Sequence, residues 1–280
     1  MYHAPIHPDR PRDPHALMQD PAFAAALRLY GEDPLELPGG QILLRRRLMG
    51  MTVAMLPRCA PPPDLDAALR AHGLHRQPLI LSPQAPAPVP GALRLCAPRE
   101  RLVLPIAPGA DQRRALLHQK WRNQLRRAED AGLQVTYAPL RPDDDLLCAA
   151  EQQSHFRGYR DWPTALTRAF AQVAPDQTRL FTAHHCGAPV AWMLFLVHGS
   201  AATYHIGLTT DHGRAVHAHN LVLWRALGWL AARGIASLDM GLSVPEAAGL
   251  DRFKQRAGAV RQQTGGTWLR WRPLARGRKP

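Results

Sequence analysis

Apolar positions in this chain follow two periods, and the switches between them mark out its elements. The strongest helical signal covers residues 111–131. Leu117, Trp121, Leu125 and Ala128 stand at i, i+4, i+8 and i+11, one face of a helix, and Gly132 follows as a C-terminal stop. Its other positions hold Arg113, Arg114, Lys120, Arg122, Arg126 and Arg127, so the predicted helix is apolar on one side and basic on the other. Further on, Asp144 or Asp145 caps a helix reaching His155, and Asp161-Trp162-Pro163 opens another with Leu166, Phe170 and Val173 facing in. Three apolar runs then follow closely, at 179–185, 190–197 and 201–208. Cys186-Gly187 and His198-Gly199-Ser200 part them, which predicts an antiparallel meander. A loop over 209–216 leads into a long helix, 217–233, stopped by Gly234 and followed by a strand at 235–240. A strand–helix–strand crossover makes its two strands parallel. A helix around Lys254 and a strand at 267–272 close this half.

The first half is less regular. Asp20-Pro21 opens a helix that Gly31 ends, because Pro suits a first helical position. Residues 42–47 and 51–56 read as a hairpin about Gly50, and 64–72 as a short helix before Gly73. Residues 79–81 and 102–106 are strand-like, and between them Pro83, Pro86, Pro88 and Pro90 predict a loose, extended connection. No short tandem repeat is visible.

Composition narrows the class. The chain has 280 residues, 46% of them hydrophobic, enough for a core and too many for a disordered tail. Its four cysteines are widely spaced with no CxxC pair, which reads as reduced thiols. No apolar run reaches the roughly 18 residues that span a bilayer, and the N-terminus shows no signal-like apolar region. A cytoplasmic protein is the expectation. The net charge of +13 points to anionic partners, although general Arg enrichment weakens that signal.

That enrichment singles out one residue. Of 35 basic residues only Lys120, Lys254 and Lys279 are lysines. A Lys kept in an Arg-biased chain suggests work that a planar guanidinium does badly. A compact point charge on a thin stem reaches into a narrow site and faces a developing oxyanion. The competing reading is a solvated lysine on a helix face.

The order of elements, with three strands, a loop, a helix, a strand, a helix and a strand, is that of a GNAT acyltransferase domain. Details of the sequence sharpen the likeness. Ala218-His219-Asn220-Leu221-Val222-Leu223-Trp224, then Asp239-Met240-Gly241 ending a strand, then Phe253-Lys254 followed by Gly258, resemble the FemAB-like branch, which includes the Fem-type peptidoglycan aminoacyltransferases. The run from Lys120 to Ala128 resembles the basic helix that precedes the second domain of Fem proteins. The resemblance covers about 110–272 and is poor before that. It implies an α/β chain of tandem GNAT-like domains: a reduced N-terminal copy, about 1–108, and a C-terminal acyltransferase domain, about 109–280.

The resemblance also implies roles. Lys254 stabilises the oxyanion of a tetrahedral intermediate, with Phe253 beside the reacting group. Asp239, at the C-terminal end of a strand, either positions the amine or caps the next turn. His219 is a candidate base, against the plainer reading of a helix-face residue bonded locally. Gly213, Arg214, Ala215, Val216 and His217 precede a helix N-terminus, where GNAT proteins hold the coenzyme A pyrophosphate. Only Gly213 is present of the glycines expected there. Lys120, Arg122, Arg126 and Asn220 fall on the substrate side. His212, His217 and His219 have no Cys or carboxylate at ligand spacing, so no metal is expected.

The expected activity is N-acyl transfer from acyl-coenzyme A, such as acetyl-coenzyme A, to a small-molecule or peptide amine. Aminoacyl transfer from aminoacyl-tRNA is the alternative, and a non-catalytic RNA- or anion-binding module is the competing class.

Overall fold

The computed structural model describes residues 15–48, 50–157, 162–244 and 247–271. In chain order its strands are β1 Leu35–Glu36, β2 Ile42–Leu48, β3 Met51–Pro57, β4 Leu79–Ser82, β5 Leu93–Cys96, β6 Glu100–Pro105, β7 Gln134–Ala138, β8 Thr178–His185, β9 Ala188–His198, β10 Ala201–Thr209, β11 Ser237–Leu242, β12 Val260–Gln263 and β13 Thr267–Arg270. The helices are α1 Pro21–Leu29, α2 Leu65–Ala71, α3 Ala110–Leu116, α4 Gln119–Asp130, α5 Asp145–Arg157, α6 Thr164–Val173, α7 Asp211–Ala215, α8 Ala218–Ala231 and α9 Ala248–Arg256.

Two sheets form. One runs β1-β2-β3-β4-β13-β5, the other β12-β6-β11-β10-β9-β8-β7. The meander β8-β9-β10 is antiparallel, and β10 and β11 are parallel, as the crossover through α8 requires. Both faces of β9 are covered. Met193, Phe195 and Val197 join the core beneath α4 and α8, whereas Leu194 and Leu196 join the core beneath α1, α5 and α6. This double burial is why 190–197 is an unbroken apolar run and does not alternate.

A shared ribbon laces the two sheets together. β5 and β6 form one arm; β12 and β13 form the other, and they pair antiparallel in one register from Val103 to Cys96, with a shift between Thr267 and Trp268. Cys96 faces Thr267, Glu100 faces Gln263, and Val103 faces Val260. Between the two sheets the register is kept by Thr264 N–H donating to Arg99 O at 2.8 Å and Arg99 N–H donating to Thr264 Oγ1 at 2.9 Å. At the bend Gly266 has φ +77°, and a Cβ there would lie 2.8 Å from Cys96 O, so a side chain is excluded on both counts. The strand expected to close the second half therefore lies in the first sheet, and β6, from the first half, lies in the second.

Other expectations are also corrected. The single helix over 111–131 is two. Leu117 and His118 are extended, and the His118 ring caps α4 by accepting from Lys120 N–H at 3.1 Å. The break exists because His118 N–H donates to Arg256 O, docking this corner on the end of α9. Leu117 stays in the core, which is why the apolar stripe ran through the break unnoticed. The 209–216 loop contains the short helix α7. Val173, expected to face in, is 38% exposed at the end of α6. Asp161, Arg272 and the basic tail to Lys279 lie outside the described residues.

His198 pins the N-terminal segment to the second sheet. Its Nδ1 donates to His15 O at 2.8 Å and its Nε2 accepts from the Thr203 hydroxyl at 2.9 Å. Burial lowers its pKa from 6.5 to about 4. The native state therefore holds the neutral ring while the unfolded chain takes a proton near pH 6.5. Stability should fall as pH drops from about 6.5 to about 4, by about 3 kcal/mol from this residue. Urea unfolding across that range should give a flatter profile for His198→Asn. An identical pH slope would refute the assignment.

Candidate functional site

β10 and β11 are hydrogen-bonded neighbours only where Ala201–Thr203 face Ser237–Asp239. Beyond that, β10 bulges between Tyr204 and Ile206 and the two strands part. The gap opens into a cleft of about 790 Å³, walled by the outer half of β10, the start of α8, the end of β11 and α9. A crevice at the carboxyl ends of parallel strands is where α/β sheets hold ligands.

Lys254 lies on this cleft. It is 4% exposed, and its ammonium makes no ion pair or hydrogen bond with any described residue. Burial pushes its pKa below the ordinary lysine value, against the pull of the Asp251 and Asp239 carboxylates. Asp251, 7% exposed, sits one turn earlier on α9 and accepts a hydrogen bond from the Ser243 hydroxyl. It was missed from the sequence, although its place three residues before Lys254 puts the two on one helix face. Phe253 also lines the cleft, with its ring 6.1 Å from Trp121 and 6.4 Å from His219.

The start of α8 brings three more candidates to the cleft. His217 caps the helix in the left-handed region, at φ 54°. Its pKa is lowered by partial burial and by the charge of Arg127 on α4. His219 donates through Nε2 to Leu208 O at 2.7 Å, and burial lowers its pKa and keeps it neutral. Asn220 is 4% exposed, and its Nδ2 is buried with no partner. Ala218 and His219, as the first two residues of α8, have no intrahelical acceptor for their N–H groups.

The 213–217 segment is less suited to a diphosphate than its position suggests. Thr210 caps α7, so Gly213 N–H donates to Thr210 Oγ1 at 3.0 Å. The N–H groups of Arg214, Val216 and His217 go to Thr210 O, His212 O and Arg214 O. The Arg214 guanidinium pairs with Asp211 and also donates to Thr209 O at 3.2 Å. Gly213, Arg214 and His217 line the cleft, whereas Ala215 is exposed elsewhere and Val216 packs on the core. Gly213 is a glycine for packing: a Cβ would lie 2.2 Å from Val190 O.

Asp239 is not on the cleft wall. Its Oδ2 accepts from Arg101 at 3.0 Å and from Arg58 at 3.2 Å, and its Oδ1 accepts from Gly241 N–H at 2.8 Å. It ties the two sheets together and caps the turn after β11. Lys120, Arg122 and Arg126 also stay off the wall, on the outer side of α4. Among the described residues no group of three or more His, Cys, Asp or Glu is placed to hold a metal, and His212 instead pairs with His185 at 2.7 Å. No described helix is long and apolar enough to cross a membrane.

Comparison with known proteins agrees with this architecture. Residues 113–255 match the family model of the acetyltransferase (GNAT) domain. No curated protein matches the chain by sequence. Among solved structures, FemX superposes with a TM-score of 0.72 at 12% identity, over 95% of this chain and 95% of that one. A conserved protein of unknown function from Bacteroides thetaiotaomicron gives 0.62 at 13% identity, over 92% of each chain. The C-terminal domain of a putative lysylphosphatidylglycerol synthetase from Agrobacterium fabrum gives 0.56 at 13% identity, over 92% of this chain and 90% of that one. The two-sheet arrangement is thus shared with FemX along nearly the whole chain. With the domain match spanning both walls of the cleft, the chain belongs to the acetyltransferase (GNAT) family of N-acyltransferases.

Proposed function

We propose that this protein forms an amide by moving an activated acyl group onto an amine at the β10–β11 cleft, with Lys254 holding the acyl oxygen. The observation that carries the reading is Lys254, 4% exposed on the cleft wall, whose ammonium makes no hydrogen bond or ion pair with the described residues. A buried unpaired charge is costly to keep, and a non-catalytic scaffold gains nothing from it. In the reaction the amine nitrogen attacks the acyl carbon and the carbonyl oxygen becomes an oxyanion, which the ammonium stabilises by hydrogen bonding. The bond from the acyl carbon to the leaving group then breaks, the leaving oxygen or sulfur takes a proton, and the attacking nitrogen gives one up. His219, which donates through Nε2 to Leu208 O, ties the start of α8 to the end of β10.

We assign the donor as an aminoacyl ester of tRNA. The 213–217 segment spends its N–H groups on its own turn, which leaves little to cradle the diphosphate of coenzyme A. The exposed basic side of α4, with Lys120, Arg122, Arg126 and Arg127, offers a phosphate-binding surface, and Arg127 reaches far enough to perturb His217 on the cleft. Acyl-coenzyme A is the second reading, favoured by the open first-turn N–H groups of α8 beside Arg214. In both readings the acceptor is a small-molecule or peptide amine, the unit before about residue 108 helps hold it, and the compartment is the cytoplasm.

Filter binding with a mixed pool of aminoacylated tRNA, alongside thermal melting with coenzyme A, separates the two donors. The tRNA should bind, its affinity should fall steeply with salt, and Arg126→Glu with Arg127→Glu should weaken it. Coenzyme A should leave the melting temperature unchanged. A rise with coenzyme A and no tRNA binding would replace the donor assignment with acyl-coenzyme A.

A further inference from the structure

Asn220 is a buried polar residue on the cleft wall whose side chain makes no hydrogen bond with the described residues. It is the third residue of α8, 4% exposed, with its backbone N–H fixed on His217 O at 2.9 Å. Its Nδ2 is sealed from solvent with no acceptor, and no hydrogen bond to its Oδ1 is made by the described residues. Buried polar groups in native proteins are almost always paired, and leaving one unpaired destabilises the fold. Oδ1 is not sealed in this way, and Asn220 lines the cleft that holds Lys254, so the amide is placed to take a partner from outside the chain through its oxygen.

The chemistry of the two residues defines that partner. Lys254 is a donor only, whereas a carboxamide both donates and accepts. Lys254 matches a carbonyl oxygen, and Asn220 matches a group that offers an N–H. We propose that Asn220 is a substrate-recognition residue that pairs with an amide or aminoacyl group lying beside the carbonyl held by Lys254. The proposal rests on the cleft being the acyl-transfer site. The same chemistry is carried by an aminoacyl donor and by a peptide acceptor, so the probes must tell them apart.

The test uses Asn220→Leu, near in volume but apolar, with Asn220→Asp as the control if the first variant folds poorly. Two probes are titrated by calorimetry: puromycin, an aminoacyl amide on an adenosine, for the donor side, and triglycine for the acceptor side. The ligand-free Leu variant should melt at the wild-type temperature or a few degrees higher, because an unsatisfied amide has been removed. It should bind one of the two probes at least about 10-fold more weakly than wild type, and the probe affected names the substrate that Asn220 reads. Equal binding by wild type and both variants, or no binding of either probe to wild type, would overturn the proposal. So would a large loss of melting temperature with unchanged binding, since that would make Asn220 structural or satisfied by a bound water. Lys254→Met separates this from the wider reading. If that variant keeps full transfer activity, the acyl-transfer site is misplaced. If it is inactive while Asn220→Leu binds both probes normally, only the role of Asn220 fails.

Discussion

Lys254→Met should lower the turnover number by roughly 100-fold or more while the protein stays folded. Removing one preorganised oxyanion donor costs about 3–4 kcal/mol of transition-state stabilisation, and here the donor is a full charge on a residue that is 4% exposed. The same variant should melt higher than wild type when empty. Burial lowers the Lys254 pKa, so the native state binds that proton less readily than the unfolded chain does. Wild-type stability therefore rises with pH as it passes through the lowered pKa towards the ordinary lysine value, and Met should remove that rise. Activity moves the opposite way. The ammonium is the working form, so wild-type turnover should decline as pH rises through the lowered pKa, earlier than a solvated lysine would allow. A pH profile with no alkaline limb, or a Met variant that loses stability and keeps turnover, would be inconsistent with this role.

Trp121→Ala should cost about 3–5 kcal/mol of stability, the range for an emptied aromatic site in a core. Trp121 is 0% exposed, lies between Leu117, Leu125 and the start of α8, and packs on Phe253. The loss should reach the active site, because Phe253 precedes Lys254 and α4 braces the end of α9 through His118 and Arg256. Trp121→Phe should be far milder. The indole N–H is buried with no acceptor, so losing it relieves a cost that partly offsets the smaller ring. Chemical denaturation of the three proteins measures this. A loss below about 1 kcal/mol for Ala would mean that the packing around Trp121 collapses into the vacated space.

The legible parts of the fold were those with a one-sided or two-sided burial pattern. Leu117, Trp121, Leu125 and Ala128 are all buried as their spacing implied, and β9 is the doubly covered strand that its unbroken apolar run suggested. The strands that escaped notice, β1, β5, β7 and β12, are all at sheet edges, and every residue of β5 and β12 is exposed. Without a buried face such strands carry no alternation to read. The ribbon joining the two sheets is invisible for another reason, since its pairs come from opposite ends of the chain.

The candidate site divides the same way. Phe253, Lys254, His219 and Asn220 sit on local helices, and a short motif carries them to one cleft. Asp239 stood at a promising strand end, but its partners Arg101 and Arg58 lie 138 and 181 residues away, so nothing nearby announced a half-buried ion cluster. The 213–217 segment was read as an open loop because the cap that closes it depends on a single hydroxyl, that of Thr210.

The most direct measurement of the central claim is the single-turnover rate of Lys254→Arg with the donor that binds wild type. Arg keeps the positive charge and removes only the compact ammonium on its thin stem. If Lys254 holds the oxyanion in a narrow cleft, the Arg protein should bind the donor and transfer its acyl group at least about 100-fold more slowly than wild type. Transfer at the wild-type rate would contradict the account, since any cation on α9 would then suffice.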